Sequence, residues 1–515
     1  MKIVIIGGGT AGWLTAAHFE LLNTSDKNKH GNLSFDVTVI ESENIPIIGA
    51  GEGSTGILFD AINNQLKSIG ADHLDFLYET DATMKLGINF KDWNGKGTQF
   101  YSPLQPSGTA TQNYDWELLA FKVHSKPHLL GLVGNLMENG LSTYDINKKE
   151  TIGLSTYHFD AHKVGNYFKK LCTKRKTKHV TGDVTKVNKN TITGFVESVE
   201  LSDGKIIEAD FWVDCSGFTR VLVNEMDCGW QSYSKYLPTN NALPYLYNYK
   251  DGEDIRGETL AWSQPNGWMW QIPTQQRYGC GYVYSDMFTN ADGALKELEL
   301  STGRKIEPIR NIKFDVGRVD KFWDKNVVAI GLSSGFLEPL QATSIHTTIV
   351  QINMLLNVLD VKDNMEYVQN AWYYNNFIRK NFDDNRDLIQ IHYMNKRNDS
   401  EFWKFCQNEL EKTDKVKFVK EISKYRCPTF MEFPSEYGGS SWGVWGWTIM
   451  GLDIVTRETA YNVLRKYSFE LLANKIVIDY NESIGTEKLP LPFMKNTDLI
   501  REIKNKTLPK QNLQI

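Results

Sequence analysis

The chain begins with a short apolar run, followed by a glycine cluster and then by a helical pattern. Residues 2–6 are almost continuously apolar, which predicts a strand buried on both faces of a parallel sheet. The pattern predicts a helix over 13–22 and a second strand over 35–40, which ends at Glu41. This order predicts a βαβ unit with an acidic residue at the tip of its second strand.

Two later apolar runs predict further strands. Residues 207–217 form one such run, which closes on Asp214 and Gly217 after a predicted hairpin turn at 202–204. Residues 326–331 form the other. Each run alone is also typical of a buried strand with a glycine turn. Together they are similar to the later sheet strands of FAD-binding monooxygenases, which favours FAD over NAD.

The C-terminal third has a different pattern. Apolar side chains recur with helical spacing over 367–391 and 460–472. The final residues, 496–515, are polar, and we expect them to fray.

Composition narrows the class of protein. The net charge of -5 gives no indication of nucleic-acid binding. The six cysteines form no C-x-x-C pair, which argues against a zinc site or a disulfide framework and favours reduced thiols in the cytoplasm. No segment has the length and apolarity of a membrane span, and the early glycines argue against a signal peptide.

The glycine cluster has the spacing of a dinucleotide-binding turn. Gly7 lets the chain turn out of the strand, Gly9 lets the backbone approach a pyrophosphate, and Gly12 lets the helix pack on the sheet. The phosphates would face the helix N-terminus, and Glu41 would accept both hydroxyls of an adenosine ribose. The gap from Gly12 to Glu41 exceeds the usual spacing of about 20 residues. The polar insert 23–32 accounts for the difference.

Several motifs together resemble those of flavin-dependent halogenases of the tryptophan-halogenase type. The most specific is the W-x-W-x-I-P pattern formed by Trp268, Trp270, Ile272 and Pro273. The motifs that carry the resemblance keep the order they have in the family and lie at 7–13, 45–53, 82–85, 157–160, 267–273 and 336–340. The chain is therefore identified as a divergent member of this family.

The resemblance implies an α/β fold. It predicts an FAD-binding GR2-type Rossmann-like domain with a mixed sheet, and a mainly helical C-terminal substrate region. The FAD-binding and halide-activating module would cover 1–350, interrupted by a substrate-side sheet within 85–160 and 220–320. Residues 351–515 would shape the substrate pocket.

The resemblance also implies an enzyme, an FADH2-dependent halogenase and hence an oxidoreductase. It would use FADH2, O2 and chloride or bromide, with iodide as an open alternative, to form hypohalous acid. Lys85 would deliver the halogen to an electron-rich aromatic substrate of phenol or indole type. The implied FAD-binding residues are Gly7, Gly8, Gly9, Ala11, Gly12, Glu41, Ser42, Ile45, Ile48, Ala50, Gly53, Val184, Leu332 and Ile345.

Lysine suits this role chemically. An ammonium can hydrogen-bond hypohalous acid, and a desolvated amine can form a haloamine. Most lysines lie at the surface, but apolar neighbours at 84 and 86–90 favour a partly buried Lys85. Trp268 and Trp270 are either core aromatics of a strand or, as the resemblance implies, residues near the flavin that keep substrate away from it.

The departures from the family pattern concern the halide and the acid–base partner. Tryptophan-specific members have a glutamate where this chain has Gln341, which cannot accept a proton as a carboxylate does. Glu338 is the nearest carboxylate in sequence, and loss of the proton to water is the alternative. The resemblance implies halide binding by the backbone N–H groups of Thr343 and Ser344. Ser344 replaces a glycine, and its Cβ and restricted φ predict an altered halide preference, toward bromide or iodide.

The expected substrate differs as well. The segment 102–104 reads Ser-Pro-Leu, where tryptophan halogenases have a histidine and an aromatic residue that sandwich an indole. Trp442, Trp445 and Trp447 either line an aromatic pocket or belong to a packed loop at a helix start. Phenols, indoles and other electron-rich rings are therefore expected, rather than free tryptophan.

No second nucleotide-binding pattern accompanies the FAD pattern, so we expect a separate flavin reductase to supply FADH2. The sequence leaves open the native substrate, the regiochemistry and whether the protein is a homo-oligomer. Two alternatives remain. A flavin-dependent aromatic hydroxylase would share the glycine turn and the later strands, and a non-catalytic FAD-binding protein would fit the missing glutamate.

Overall fold

The structure, a computed structural model, describes residues 1–24, 34–44, 51–104, 127–130, 132–152, 155–359, 364–428, 432, 442–466 and 492–508. The helices, in chain order, are α1 Thr10–Thr24, α2 Gly56–Asp60, α3 His73–Glu79, α4 Leu132–Glu138, α5 Ala161–Thr173, α6 Ala291–Thr302, α7 Thr343–Val358, α8 Asn364–His392, α9 Glu401–Asn408, α10 Asp414–Ile422, α11 Trp442–Gly451, α12 Arg457–Lys466 and α13 Asn496–Asn505. The strands are β1 Lys2–Ile6, β2 Asp36–Glu41, β3 Glu52–Gly53, β4 Thr83–Lys85, β5 Gly87–Lys91, β6 Gln99–Pro103, β7 Leu141–Asp145, β8 Glu150–Thr151, β9 Thr156–Phe159, β10 Lys178–Thr181, β11 Val184–Lys189, β12 Val196–Leu201, β13 Ile206–Glu208, β14 Phe211–Asp214, β15 Gln231–Ser232, β16 Asn241–Asn248, β17 Glu258–Gln264, β18 Gly267–Pro273, β19 Arg277–Tyr284, β20 Ile312–Lys313, β21 Gly317–Arg318, β22 Trp323–Asp324, β23 Val327–Ala329, β24 Gly335–Phe336 and β25 Phe493–Lys495.

The chain folds into two compact units, each assembled from three segments. The first unit consists of Met1–Ala82, Phe159–Tyr233 and Asp315–Asp383. The second consists of Thr83–His158, Ser234–Phe314 and Asp384–Ile515. The module bounds 1–350 and 351–515 stay a prediction.

The first unit is built on a six-stranded sheet with the order β10-β2-β1-β14-β23-β22. All neighbouring strands are parallel except β22 and β23. The apolar run of β1 is buried from Ile3 to Ile6, as expected for a central strand covered on both faces. Because the strands are parallel, the carboxyl ends of β1, β2, β14 and β23 lie along one edge, where α/β folds bind ligands.

The prediction of one strand over 207–217 is wrong. The run contains two strands in different sheets, since β13 pairs with the antiparallel β12 and β14 pairs with β1. The backbone N–H of Lys2 donates to the Asp210 carboxylate at 2.7 Å, at the point where the chain changes sheets. The predicted hairpin turn at 202–204 is confirmed, with Gly204 at a φ of 82°. β14 is fully buried whereas β13 is largely exposed, and an apolar pattern does not show which sheet each strand joins.

The second unit contains a seven-stranded sheet with the order β20-β16-β19-β18-β17-β5-β6. Neighbouring strands are antiparallel except β17 and β5, so the sheet is mixed. The tryptophans of the W-x-W-x-I-P pattern lie on β18, an inner strand. Separately, β4 pairs with the antiparallel β9.

The C-terminal part is mainly helical among the described residues. The helix predicted over 367–391 is confirmed by α8. The one predicted over 460–472 is represented by α12, and 467–472 lie outside the described residues. The expectation that 496–515 fray is wrong for 496–505, where α13 buries Leu499, Ile500 and Ile503 on one face. Their helical spacing was masked by many polar neighbours.

Three further features bear on the class of protein. All six cysteines are buried and free of disulfides. Across the described ranges, no helix combines the length and apolarity needed to cross a membrane. The same residues contain no cluster of histidine, cysteine and carboxylate side chains that could hold a metal ion.

Candidate flavin, halide and lysine sites

The glycine turn after β1 is packed too tightly for side chains at its two ends. Gly7 has a φ of 117°, and a Cβ there would lie 2.2 Å from the carbonyl oxygen of Cys215. A Cβ on Gly12 would lie 1.9 Å from the carbonyl oxygen of Gly7. A Cβ on Gly9 would meet no protein atom within 4 Å. The turn therefore leaves an open face at Gly9, beside the N-terminus of α1, as a pyrophosphate requires.

Glu41 ends β2 and folds across this turn. A Cβ on Gly8 would lie 2.3 Å from the carboxyl carbon of Glu41. Glu41 Oε2 accepts a hydrogen bond from Lys169 Nζ at 2.8 Å and lies 2.8 Å from His179 Nε2. Within the described part of the chain no group bonds Oε1, which is the oxygen available to a ribose hydroxyl. Sequence reasoning missed Lys169 and His179 because only the fold brings α5 and β10 beside β2.

The segment after Glu41 is tied to the start of β11. Ser42 Oγ accepts a hydrogen bond from the backbone N–H of Asn44 at 3.0 Å, and Asn44 Nδ2 donates to Asp183 at 2.6 Å. Hydrogen bonds from Ser42 and Asn44 lower the pKa of Asp183. Val184, half-buried, follows directly. The predicted FAD residues Ile45, Ile48 and Ala50 lie outside the described residues.

The turn that follows β23 lies against the glycine turn. Gly331 has a φ of 73°, and a Cβ there would lie 2.9 Å from Cβ of Ala11 and 3.7 Å from Oγ1 of Thr348. Leu332, the next residue, is half-buried. The structure thus brings Ala11 and Leu332, two predicted flavin residues, to the same edge of the sheet.

The first turn of α7 is joined to the segment that follows Gly53. Thr55 Oγ1 lies 2.9 Å from His346 Nδ1, within hydrogen-bonding distance. Ile345, which precedes His346, is buried. This bond therefore places the predicted flavin residues Gly53 and Ile345 in neighbouring segments of the first unit.

The chain enters α7 through two strained residues. Gln341 and Ala342 have φ values of 64° and 57°, in the left-handed region, which costs a non-glycine residue about 1–3 kcal/mol. Ala342 and Thr343 have backbone angles of opposite hand, an arrangement in which successive N–H groups face one anion-binding concavity. Strain of this kind persists where the surrounding structure enforces it, often at functional sites.

The residue at the N-cap position of α7, Ala342, has no side chain that could cap the helix. Ala342 provides no side-chain hydrogen bond, and the first N–H groups of a helix have no intrahelical acceptor. Thr343 Oγ1 is buried and, in the described part of the chain, has no hydrogen-bond partner. Ser344 lies in regular helix, so the argument from a restricted φ does not apply to it, and only its added Cβ distinguishes it from glycine. Glu338, just upstream, is also buried.

Lys85 lies at the end of β4 in the second unit. Its residue is 1% exposed, and burial lowers the pKa of its amine to about 7. The amine is therefore partly neutral near pH 7, and a neutral amine is a nucleophile. A surface position, the alternative left open by the sequence, does not occur.

The tryptophan motif lies beside this strand. Thr83 Oγ1 donates to the carbonyl oxygen of Pro273 at 2.7 Å, which connects β4 to the end of β18. Trp268 and Trp270 are both buried, with ring centroids 6.3 Å apart. The ring of Trp270 covers Gly281, where a Cβ would lie 2.0 Å from it. The motif is therefore packed within the seven-stranded sheet, and its last residue accepts a hydrogen bond from the strand that carries Lys85.

The aromatic C-terminal segment forms a helix rather than a loop. Trp445 and Trp447 are buried on α11, and the side chain of Trp442 lies outside the described residues. A Cβ on Gly451 of the same helix would lie 2.1 Å from Phe100 of β6. Trp445 and Trp447 are therefore core residues of the second unit.

Known proteins resemble this chain over most of its length. The family model described as tryptophan halogenase matches residues 2–463. The tryptophan 7-halogenase RebH of Lentzea aerocolonigenes is 30% identical over 461 residues, covering 84% of this chain and 83% of that protein. A flavin-dependent halogenase from Xanthomonas campestris superposes with a TM-score of 0.83 at 25% identity, over 98% of each chain. A tryptophan halogenase from Shewanella frigidimarina superposes with a TM-score of 0.87 at 24% identity, over 99% of each chain, and shows the same fold. The predicted α/β fold is confirmed.

Proposed function

We propose, on the premise that this chain belongs to the tryptophan halogenase family, that Lys85 delivers halogen to an electron-rich aromatic substrate. The family resemblance inferred from the motifs is confirmed, and with it an enzyme that uses FADH2, O2 and halide. The finer statements concern the substrate, the halide and the residues that act. The single observation that carries the proposed role of Lys85 is its burial together with a pKa of about 7.

The residues present fit FAD. The open face at Gly9 and the α1 N-terminus would hold its pyrophosphate, and Glu41 Oε1 would accept from its ribose. Leu332 and Ile345 would flank the isoalloxazine. When bound, reduced FAD supplies two electrons to O2, which takes two more from halide and so yields hypohalous acid and water.

The proposed halide site is the start of α7. The N–H groups of Thr343 and Ser344 face a concavity in which the helix dipole favours an anion. The buried Thr343 hydroxyl supplies a further donor. Gln341 contributes no charge, so position 341 itself carries no carboxylate that would repel halide.

Lys85 acts as an amine in this proposal, and its action should depend on pH accordingly. Below a pKa of about 7 the side chain is a charged ammonium, and above it a neutral amine. We expect the fraction of hypohalous acid that ends in aromatic product to rise from about pH 6 to about pH 8, with a midpoint near 7. Quantitative mass spectrometry against total hypohalous acid measures this fraction. A fraction that falls over the same range would indicate that the ammonium form is the active one.

Halide preference should depend on Ser344. Its Cβ is expected to reshape the proposed site, and bromide and iodide are easier to oxidise than chloride, so the wild type should prefer bromide or iodide over chloride. Replacing it, Ser344→Gly, should shift the chloride-to-bromide product ratio toward chloride by about three- to tenfold, which corresponds to about 1 kcal/mol. Competition with equimolar halides measures the ratio. Wild-type turnover on chloride far above that on bromide would contradict this prediction.

The substrate is proposed to be a phenol, an indole or a similar electron-rich ring rather than free tryptophan. The relative RebH acts on position 7 of tryptophan according to its name. Here the segment 102–104 lacks the histidine and aromatic residue that would sandwich an indole.

The test of the function uses purified protein with FAD, a flavin reductase, NADH and O2. Chloride, bromide and iodide are supplied separately against a panel of phenols and indoles. Halide-dependent products with the mass of a halogenated ring support the proposal. A gain of one oxygen without halogen would indicate a hydroxylase, and an absence of turnover would indicate a binding protein.

A further inference from the structure

His158 lies on the same face of a strand pair as Lys85. Cross-strand partners in an antiparallel pair project to the same side, and here Thr83 is opposite His158 while Lys85 is opposite Thr156. Thr83 and Lys85 are two residues apart on β4, so their side chains lie on one face, which His158 shares. Lys85 and His158 are therefore diagonal neighbours, whose Cα atoms lie about 7–8 Å apart. A lysine side chain, with its four methylene groups, is long enough to reach across that separation.

The imidazole is anchored through one nitrogen only. His158 Nε2 lies 2.8 Å from Thr259 Oγ1, and Thr259 is held in the sheet opposite Ile88 of β5. His158 is fully buried, and its Nδ1 has no hydrogen-bond partner among the residues that the structure describes. Buried polar atoms are seldom left without a partner, so this nitrogen marks a place where another group is expected.

In one of the two neutral tautomers of the ring, Nδ1 is an acceptor. Burial, and then the charge of Lys85, lower the pKa of His158 well below its usual value, so the ring is neutral. When Nε2–H donates to Thr259, the other nitrogen carries a lone pair and accepts.

We infer that His158 is a positioning residue for Lys85: in the delivery step the lysine amine turns toward Nδ1 and donates a hydrogen bond to it, which directs the amine lone pair toward the incoming halogen. The inference rests on the proposed function. In the step it serves, the amine lone pair bonds the halogen of hypohalous acid as the oxygen–halogen bond breaks. The hydroxide released takes one N–H proton to form water, and His158 holds the other N–H.

Two substitutions separate this role from a structural one. Asparagine places an oxygen near the position of Nδ1 but loses the contact with Thr259, whereas glutamine reaches Thr259 but leaves no acceptor at Nδ1. The measurement supplies bromide and free methionine as a diffusible scavenger, and compares brominated aromatic product with oxidised methionine. His158→Gln should lower the fraction delivered to the ring at least about tenfold, as expected for loss of a hydrogen bond to a reacting amine. His158→Asn should recover most of that loss.

A structural role predicts the opposite order, with His158→Gln close to wild type and His158→Asn impaired, and that result would overturn the inference. Adding Lys85→Ala should abolish any difference between the two His158 variants, because the acceptor acts only through the amine. A difference that persists without Lys85 would also overturn it. If the wild type forms no oxidised halide at all, the proposed function itself fails. If both His158 variants halogenate as the wild type does, only the proposed role of His158 fails.

Discussion

Replacing Lys85 with alanine is expected to lower aromatic halogenation by about 10²–10⁴-fold, the range typical of removing a residue that takes part directly in the chemical step. Oxidation of halide should continue, because the residues proposed to hold flavin and halide belong to the first unit and Lys85 to the second. Product per turnover, measured by mass spectrometry, should collapse while scavenged oxidant is maintained or increases.

The arginine variant sharpens this result. Lys85→Arg keeps a positive charge but removes the amine that can bond halogen, so it should be as inactive as the alanine variant. Lys313→Ala is the matched control, because Lys313 is an exposed lysine of the same unit that pairs with Asp286 at 3.0 Å. Halogenation by Lys85→Arg at the wild-type rate would show that charge alone is sufficient.

The second large effect concerns Gly9. Because a Cβ there meets no protein atom within 4 Å, Gly9→Ala should leave the melting temperature within about 2 °C of wild type. The same Cβ would occupy the face proposed for the pyrophosphate, so the Kd for FAD should rise at least about 100-fold, equivalent to about 2.7 kcal/mol. Flavin fluorescence quenching measures the Kd.

Two other glycines serve as controls for this prediction. Gly56→Ala also meets nothing within 4 Å and should change neither quantity. Gly12→Ala would bring its Cβ within 1.9 Å of a backbone oxygen, so it should lower the melting temperature as well as FAD binding. Normal FAD binding by Gly9→Ala would move the pyrophosphate away from this face.

Local patterns in the sequence were sufficient to predict the framework of the first unit. The apolar run of β1, the glycine spacing and the acid at the end of β2 are each determined by a few consecutive residues. The change of sheet at Asp210 was not predictable, because it depends on the pairing of β13 with β12 and of β14 with the distant β1. The helix at 496–505 was missed because its few buried apolar residues lie among many polar ones.

The partners of the candidate site residues lie beyond such patterns. Lys169 and His179 meet Glu41 only because β10 pairs with β2 and α5 lies alongside. His158 belongs to the family motif at 157–160, but its position diagonal to Lys85 depends on the register of β4 with β9. Registers between distant segments are set by the whole core, which explains why motifs predicted the candidate site residues but not the groups that lie beside them.

The measurement that tests the central claim most directly is bromination of a phenol by the wild type with and without excess free methionine. Delivery through Lys85 predicts that brominated product persists under scavenger and is lost in Lys85→Ala. Product that disappears with scavenger in the wild type, or persists equally in Lys85→Ala, would show that free hypohalous acid does the chemistry and would contradict the account.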